Sequence, residues 1–138
     1  MKTFIITFFT VLFCLTSSVG WSLEYKDLVY RDGIYYKKFS DVPFTGTFTG
    51  LIQCSIKNGK MEGSWVSYYE NGQLESKGNY KNGKREGPYL HYFDTGRLFF
   101  KGNYKNDKRE GVFEGYNGDG SIQYYFTGTF KNGKKVSD

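Results

Sequence analysis

Polar and apolar residues recur along this chain in a short pattern, an apolar residue followed by Lys-Asn-Gly-Lys or Lys-Asn-Asp-Lys. The four copies occupy residues 56–60, 80–84, 104–108 and 130–134. They start 24, 24 and 26 residues apart. Because sequences that repeat at a nearly fixed period fold as arrays of one small unit, we expect a repeat array and not a globule around one singular site.

A second turn signal lies in the middle of each unit. These signals are Asn71-Gly72, Thr95-Gly96 and Asp119-Gly120, with an earlier version at Asp32-Gly33. Two turns per unit leave runs of about eight to ten residues, which suit strands and are short for helices. Asn-Gly and Asp-Gly favour two-residue hairpin loops of type I′, in which both central residues have positive φ. The chain is therefore predicted to be all-β, an elongated array of antiparallel β-hairpins.

Alternation along the predicted strands gives each one a packing face and a water face. In residues 74–81 the packing face carries Leu74, Ser76, Gly78 and Tyr80. Residues 98–105 repeat this pattern, with Phe99 as an exception on the polar face. The last unit is two residues longer than the others. An insertion of two residues keeps every side chain of a strand on its original face. We therefore expect residues 122–130 to form one continuous strand.

Aromatic residues make up 20% of the chain and fall into columns of the repeat. One column holds Trp65, Tyr89 and Phe113, and another holds Tyr68, Tyr92 and Tyr116. Cross-strand aromatic pairs stabilise sheets that have a shallow core, which is the structural interpretation of these columns. The alternative interpretation is a platform on which a carbohydrate or peptide stacks.

The two ends of the chain differ from the repeats. Residues 1–20 have a charged start, an apolar middle and small residues at the end, the order of a secretory signal cleaved after Gly20. An uncleaved anchor and a lipoprotein modified at Cys14 are the alternatives. We therefore expect a periplasmic, envelope-associated or secreted protein with its repeat domain in residues 21–138. Residues 30–36 are predicted to form an opening hairpin that caps the array.

The formal net charge of +5 is concentrated in the turns between hairpins. The bases are Lys81, Lys84, Arg85, Lys105, Lys108, Arg109, Lys131, Lys134 and Lys135. Stacked hairpins would align them in one basic row able to attract an anionic lipid, glycan or protein, with Lys84, Arg85, Lys108 and Arg109 as candidate anion-binding residues. The alternative is a set of solvated turns that keep the array soluble. Nucleic acid is not expected as a partner of an exported chain.

The motifs of catalysis and cofactor binding are missing from the sequence. It contains no zinc-ligand spacing, no phosphate-binding loop and no nucleophile elbow, and His91 stands without an Asp or Cys in a recognisable relation to it. Residues 117–121 resemble a calcium loop but lack its later ligands. Cys54 occupies the column of Gly78, Gly102 and Gly128, so it is predicted to be a small inward-facing filler, with a reactive or intermolecular thiol as the alternative. We expect a non-enzymatic protein without catalytic, cofactor or metal sites.

Residues 68–87 closely resemble the bacterial variant of the MORN repeat, and the copies that run through Gly111 and Lys134 resemble it too. The resemblance covers about residues 28–135. It implies a twisted sheet of successive hairpins without catalytic residues. It also connects the chain with antitoxins of the YwqK type and with repeat proteins that act as scaffolds or bind membranes and proteins. If the chain neutralises a toxin, the export signal implies that the toxin is met outside the cytosol.

These observations favour a protein-binding module, with an immunity-like role as one form of it. The candidate partner-binding residues are Trp65, Tyr69, Tyr89, Phe93, Phe99 and Phe113. The alternative function is binding of anionic envelope lipid or glycan through the basic turns. The identity of the partner, the oligomeric state and the fate of the N-terminal segment are left open by the sequence.

Overall fold

The computed structural model describes residues 23–138, so the signal segment predicted over 1–20 lies outside the described residues. One 3-10 turn, Tyr25–Asp27, precedes twelve strands. The strands are β1 (Leu28–Arg31), β2 (Ile34–Lys37), β3 (Gly46–Phe48), β4 (Ile52–Lys57), β5 (Lys60–Tyr68), β6 (Leu74–Lys81), β7 (Lys84–Arg85), β8 (Gly87–Tyr92), β9 (Leu98–Lys105), β10 (Lys108–Gly115), β11 (Gly128–Lys131) and β12 (Lys134–Ser137). No α-helix occurs in this part of the chain, and the all-β prediction is confirmed. Within the same residues, no helix is long and apolar enough to cross a membrane.

Ten of the strands form one antiparallel sheet that grows hairpin by hairpin. Its order is β12-β11-β10-β9-β8-β6-β5-β4-β3, and the short β7 also pairs with β6. The predicted opening hairpin is β1–β2, a separate two-stranded sheet. It is attached to the array because Tyr35 donates its backbone N–H to the Gly59 carbonyl at 2.8 Å. Chain order and spatial order therefore run together along the ribbon.

The Lys-Asn-Gly/Asp-Lys turns have the predicted conformation. Both central residues have positive φ in each of the four turns. The values are 49° and 74° at Asn58-Gly59, 52° and 80° at Asn82-Gly83, 51° and 69° at Asn106-Asp107, and 51° and 84° at Asn132-Gly133. These are two-residue type I′ loops. Asp107 adopts this conformation without glycine, since Asp tolerates the left-handed region better than most residues.

The three later middle turns are of another type, and the two-residue loop predicted for them is wrong. The early version at Asp32-Gly33, with φ of 50° and 79°, has the predicted two-residue loop. In residues 69–72 only Gly72 has positive φ, 82°. The Gly72 N–H donates to the Tyr69 carbonyl at 2.9 Å, and the Tyr69 N–H donates to the Gln73 carbonyl at 2.8 Å. The loop is longer than predicted, and only its last residue requires glycine.

The continuous strand predicted over residues 122–130 is also wrong. Residues 123–127 form a turn in which the Phe126 and Thr127 N–H groups donate to the Gln123 carbonyl at 3.0 and 3.1 Å, and β11 begins only at Gly128. The Thr127 hydroxyl accepts the Gly115 N–H at 2.9 Å and donates to the Gly115 carbonyl at 3.1 Å. The two additional residues of this unit are thus absorbed by a local turn that β10 holds in place, and not by an extended strand.

The hydrophobic core consists of two clusters on one face of the sheet, which we call the inner face. Cluster 1 contains Phe44, Phe48, Cys54 and Ile56, with Leu23, Tyr25, Leu28 and Tyr35 packed against it from the N-terminal segment. Cluster 2 contains Phe100, Tyr104, Phe113 and Phe130, covered in part by Phe126. Between the clusters lie two buried hydroxyls, Ser67 and Ser76, which are 2.7 Å apart. The inner face is therefore fully buried and apolar at both ends, and its middle combines this hydroxyl pair with the half-buried Trp65 and Tyr80 rings, whose centroids are 5.6 Å apart.

Candidate functional site

The aromatic column of Trp65, Tyr89 and Phe113 alternates with glycine along the inner face. Trp65 lies opposite Gly78, Tyr89 opposite Gly102, and Phe113 opposite Gly128. Tyr89 and Phe113 lie directly on the glycine of the preceding unit, because a Cβ placed on Gly78 or Gly102 would overlap their rings. Phe113 is 0% exposed, so it is excluded as a partner-contact residue in this conformation. Trp65 and Tyr89 are half-buried, and Trp65 donates its Nε1–H to the Ser76 hydroxyl at 3.0 Å.

The other three aromatic candidates lie at or beside the middle turns and are half-buried. The Tyr69 hydroxyl donates to the Tyr92 carbonyl at 2.7 Å and so ties one middle turn to the next. The Phe93 and Phe99 ring centroids are 4.8 Å apart, and Phe99 lies 4.9 Å from Phe126. Phe99, the exception in the alternation, packs with cluster 2. These side chains support the fold and keep only part of their surface for a partner.

The structure separates the basic residues that the sequence places in one row. Neighbouring residues of a strand point to opposite faces, so Arg85 and Arg109 lie on the inner face while Lys84 and Lys108 lie on the outer face. Arg85 bonds Asp107 through Nε at 2.6 Å and lies 4.0 Å from the Tyr104 ring centroid. Burial lowers the Arg85 pKa, but the hydrogen bond to Asp107 and the charge interactions with Tyr104 and Asp107 together raise it above its usual value.

Arg109 has the equivalent position in the last unit. Its guanidinium carbon lies 4.7 to 5.5 Å from four ring centroids, those of Phe113, Tyr125, Phe126 and Phe130. Cation–π contact with partly buried rings is stabilising, so both arginines serve packing in this structure. The prediction that Arg85 and Arg109 form a basic row with the lysines is wrong, and the reason is strand alternation.

Lysines flank all four Lys-Asn-Gly/Asp-Lys turns on the outer face. Each turn has a directly opposed pair, namely Lys57 and Lys60, Lys81 and Lys84, Lys105 and Lys108, and Lys131 and Lys134. Within the described residues, none of these eight ammonium groups forms an ion pair. They are the cationic groups available to an external anion at this edge of the ribbon.

A glutamate in each unit fixes the turn of the following unit, a role that the sequence did not reveal. Glu62, Glu86 and Glu110 accept the backbone N–H groups of Asn82, Asn106 and Asn132 at 2.7, 2.9 and 2.9 Å. In each case the second turn residue also donates its N–H to a backbone carbonyl of the preceding hairpin, at 2.8 to 3.0 Å. The four turns are therefore attached to one another in a fixed row. The signal in the sequence was the recurrence of one acid per unit.

Residues 122–125, at the start of the turn over 123–127, expose three large apolar side chains within four positions of the chain. Ile122 is 51% exposed, Tyr124 75% and Tyr125 71%. The turn beneath them is held in place: Phe126 lies 5.1 Å from Phe100, and the Tyr124 carbonyl accepts Lys135 Nζ at 3.2 Å. This site was missed because the sequence predicted a regular strand here. The departure from the 24-residue period was the signal that marked it.

Cys54 and His91, whose side chains are of types often used in catalysis, lie in packed surroundings. Cys54 is buried in cluster 1, and burial raises its pKa to about 11. His91 lies between Phe99 and Phe100, and burial lowers its pKa, with a smaller opposing effect of Glu75. Cys54 has the position of the predicted inward-facing filler. Among residues 23–138, no group of three or more His, Cys, Asp and Glu is placed to hold a metal ion.

Comparison with protein families agrees with this geometry. Residues 61–82 and 85–106 each match the MORN repeat variant. No curated protein matches the chain. The two matched stretches run from β5 into the turn after β6, and from β7 into the turn after β9, in the centre of the sheet. Such repeats suggest a repeat-based binding module and are generally non-enzymatic. The centre of this chain is therefore similar to a pair of MORN-variant repeats.

Proposed function

We propose that the chain is a non-enzymatic module that binds another protein through the exposed turn at residues 122–125. The observation that carries this proposal is the preorganised apolar surface of Ile122, Tyr124 and Tyr125. Large aromatic side chains on a rigid base contribute most to protein interfaces, because they bury much area and lose little conformational freedom. Tyr69 and Phe93 are candidates for the periphery of the same contact, through the part of their surface that remains exposed.

Several details of the turn support this function. The Tyr125 ring lies 5.4 Å from the Arg109 guanidinium and 5.1 Å from the Phe126 ring, so its position is set before any partner arrives. Among residues 23–138 Tyr124 makes no comparable stacking contact, and it is the more exposed of the two. A partner of matching chemistry would offer an apolar pocket with a hydrogen-bond acceptor for the phenol hydroxyl.

We further propose that the partner is met outside the cytosol. The support is the signal-like order of residues 1–20, and the YwqK-type resemblance suggests a toxin as the partner. In that form the chain is an immunity-like protein of the periplasm, envelope or extracellular medium.

Site-specific photo-crosslinking tests the protein-binding proposal. A photoreactive phenylalanine replaces Tyr124 in one variant and Tyr30, which is 63% exposed at the other end of the ribbon, in the control. We expect a discrete protein adduct from position 124, absent from position 30 and reduced by Ile122→Ser in the same chain. Equal adducts at both positions, or none at position 124, would contradict the proposal.

A second candidate function is binding of an anionic lipid or glycan of the envelope at the basic turns. The observation that favours it is the set of eight outer-face lysines without ion-pair partners among the described residues. Lys84 and Lys108 remain candidate anion-binding residues, whereas Arg85 and Arg109 are occupied by aromatic rings and, for Arg85, by Asp107. Salt-sensitive association that is lost when lysines are neutralised would support this function.

A further inference from the structure

The lysine pairs at the four Lys-Asn-Gly/Asp-Lys turns are unfavourable for the folded chain itself. In each pair the two residues are direct partners across the hairpin, and like charges placed opposite one another destabilise a sheet. Three glutamates, Glu62, Glu86 and Glu110, lie near these lysines, and each accepts a backbone N–H of the next turn. None of the three forms an ion pair with one of the eight turn lysines. The same unfavourable arrangement occurs at all four Lys-Asn-Gly/Asp-Lys turns. It does not occur at the type I′ turn of β1–β2, Asp32-Gly33, which Arg31 and Ile34 flank, so the turn geometry does not require it.

The four lysine pairs form a row along the outer edge of the ribbon, and this row is rigid and evenly spaced. All four turns have the same backbone conformation, and hydrogen bonds attach each turn to the preceding hairpin. Consecutive turns are two strands apart, and neighbouring strands lie about 4.7 to 4.9 Å apart, so the lysine pairs repeat about every 10 Å over about 30 Å. The ammonium groups are thus presented as a linear series before any ligand binds.

The twist of the sheet decides which shape of anion fits this series. Adjacent strands rotate by about 20 to 25°, and six strand steps separate the first turn from the last, so the row winds by about 120 to 150° around the ribbon. A flat lipid surface would reach only part of a row that winds so far. A flexible linear polyanion can follow the whole of it.

The neighbours of the row indicate the class of polymer. On the same face, two residues before the first lysine of each pair, lie Ser55, Asn79, Asn103 and Thr129, whose hydroxyl and amide groups suit sugar hydroxyls. Single-stranded nucleic acid, in contrast, is held by basic grooves that also carry aromatic side chains for base stacking. The arginines beside the turn lysines, Arg85 and Arg109, and the rings that they contact, Tyr104 and Phe130, face the inner side, away from these lysines. The outer-face aromatic column of Tyr68, Tyr92 and Tyr116 lies at the other ends of the strands, beside the middle turns.

We infer that the eight turn lysines bind a linear acidic polysaccharide along the outer edge of the ribbon. This inference rests on the second candidate function, anion binding at the basic turns, and specifies its ligand. Each lysine pair engages the carboxylate or sulfate groups of one short stretch of the polymer. Affinity should therefore rise with polymer length until the polymer spans all four turns.

The test measures binding of fluorescent polyuronate by anisotropy, with chains of about 4 and about 20 sugar residues at several salt concentrations. We expect the longer polymer to bind at least about tenfold more tightly. The test variant carries Lys81→Gln, Lys105→Gln and Lys131→Gln, one at each of three turns. The matched control carries Lys26→Gln, Lys37→Gln and Lys38→Gln, which remove the same charge elsewhere.

The turn variant should bind the long polymer at least about tenfold more weakly. Its slope of log affinity against log salt concentration should fall by about two, because each of the three neutralised contacts removes about 0.7 of a unit for a single-chain polyanion. The control should retain both values. If the chain binds anionic lipid vesicles or single-stranded DNA more tightly than polyuronate, and the turn variant loses that binding, the ligand is not a polysaccharide, although the lysines do bind anions. No binding of any anionic probe, or equal losses in both variants, would overturn anion binding itself.

Discussion

The ring of Phe113 lies directly on the backbone of Gly102, one strand away on the inner face. A Cβ at Gly102 would lie 2.5 Å from Cγ and Cε1 of this ring, and Phe113 has no exposed surface into which it could move. The rings of the aromatic column thus pack directly on the backbones of the glycine column, and this packing requires the two residue types to alternate in the sequence.

Gly102→Ala is expected to destabilise the fold by about 1 to 3 kcal/mol, the usual range for overpacking a tight interior. Urea unfolding followed by tyrosine and tryptophan fluorescence measures the change. Gly118→Ala is the matched control, because Gly118 has no atom within 4 Å of the added Cβ and no positive φ. Equal stability losses in the two variants would contradict the packing role.

Glu86→Ala should cost about 0.5 to 1.5 kcal/mol by removing the acceptor of the Asn106 N–H. The same substitution should accelerate hydrogen exchange at Asn106 more than at Asn82 or Asn132, whose acceptors are Glu62 and Glu110. Glu70→Ala, on an exposed middle turn, is the control for loss of one carboxylate. Uniform acceleration at all three turns would indicate global destabilisation instead of a local capping role.

Arg109→Lys keeps the charge and removes the planar group that contacts four rings. We expect a loss of about 1 to 2 kcal/mol in unfolding free energy, since lysine cannot stack in this way. Arg97→Lys is the control, because Arg97 is exposed and donates to the Gly118 carbonyl. Polyanion binding by the folded Arg109→Lys protein should equal that of the parent chain; a strong loss of binding would restore Arg109 to the anion site.

The Cys54 thiol should react slowly with maleimide at pH 8 in the folded chain and rapidly after unfolding in urea, because burial raises its pKa to about 11. An unfolded thiol has a pKa of about 8.5. A raised folded pKa contributes stability that is complete below the unfolded value and is lost as pH rises through about 11. Cys54→Ala should therefore show a smaller decline in stability than the parent chain between about pH 9 and 11. Rapid labelling of the folded protein would contradict the filler role.

The parts of the structure that follow from local chemistry could be predicted from the sequence. Asn58-Gly59 and its equivalents need positive φ at two consecutive residues, and few other dipeptides supply it. The same rule failed at Asn71-Gly72, because a glycine at the end of a longer loop has the same sequence signature. Local patterns thus located every repeat turn and identified the type of five of the eight, namely the four Lys-Asn-Gly/Asp-Lys turns and Asp32-Gly33.

The errors concern contacts between residues distant in sequence. Strand alternation already separates Lys84 from Arg85, but grouping them by charge concealed this. The turn at residues 123–127 depends on Thr127 bonding Gly115, a contact across the sheet that no local pattern encodes. Glu86 accepts a hydrogen bond from a backbone N–H twenty residues away. Almost every residue type has a backbone N–H, so the residue type at position 106 does not reveal this partner.

The buried Ser67–Ser76 pair has a consequence for how the ribbon unfolds. The fully buried apolar residues form two separate clusters on either side of it, and only half-buried rings, those of Trp65, Tyr80 and Tyr89, lie between them. Cooperativity along such a ribbon is transmitted from neighbour to neighbour, so the junction of lowest coupling is where the two parts can separate. Force applied to the two ends of the chain should then produce two extension events, with the boundary between them at the serine pair.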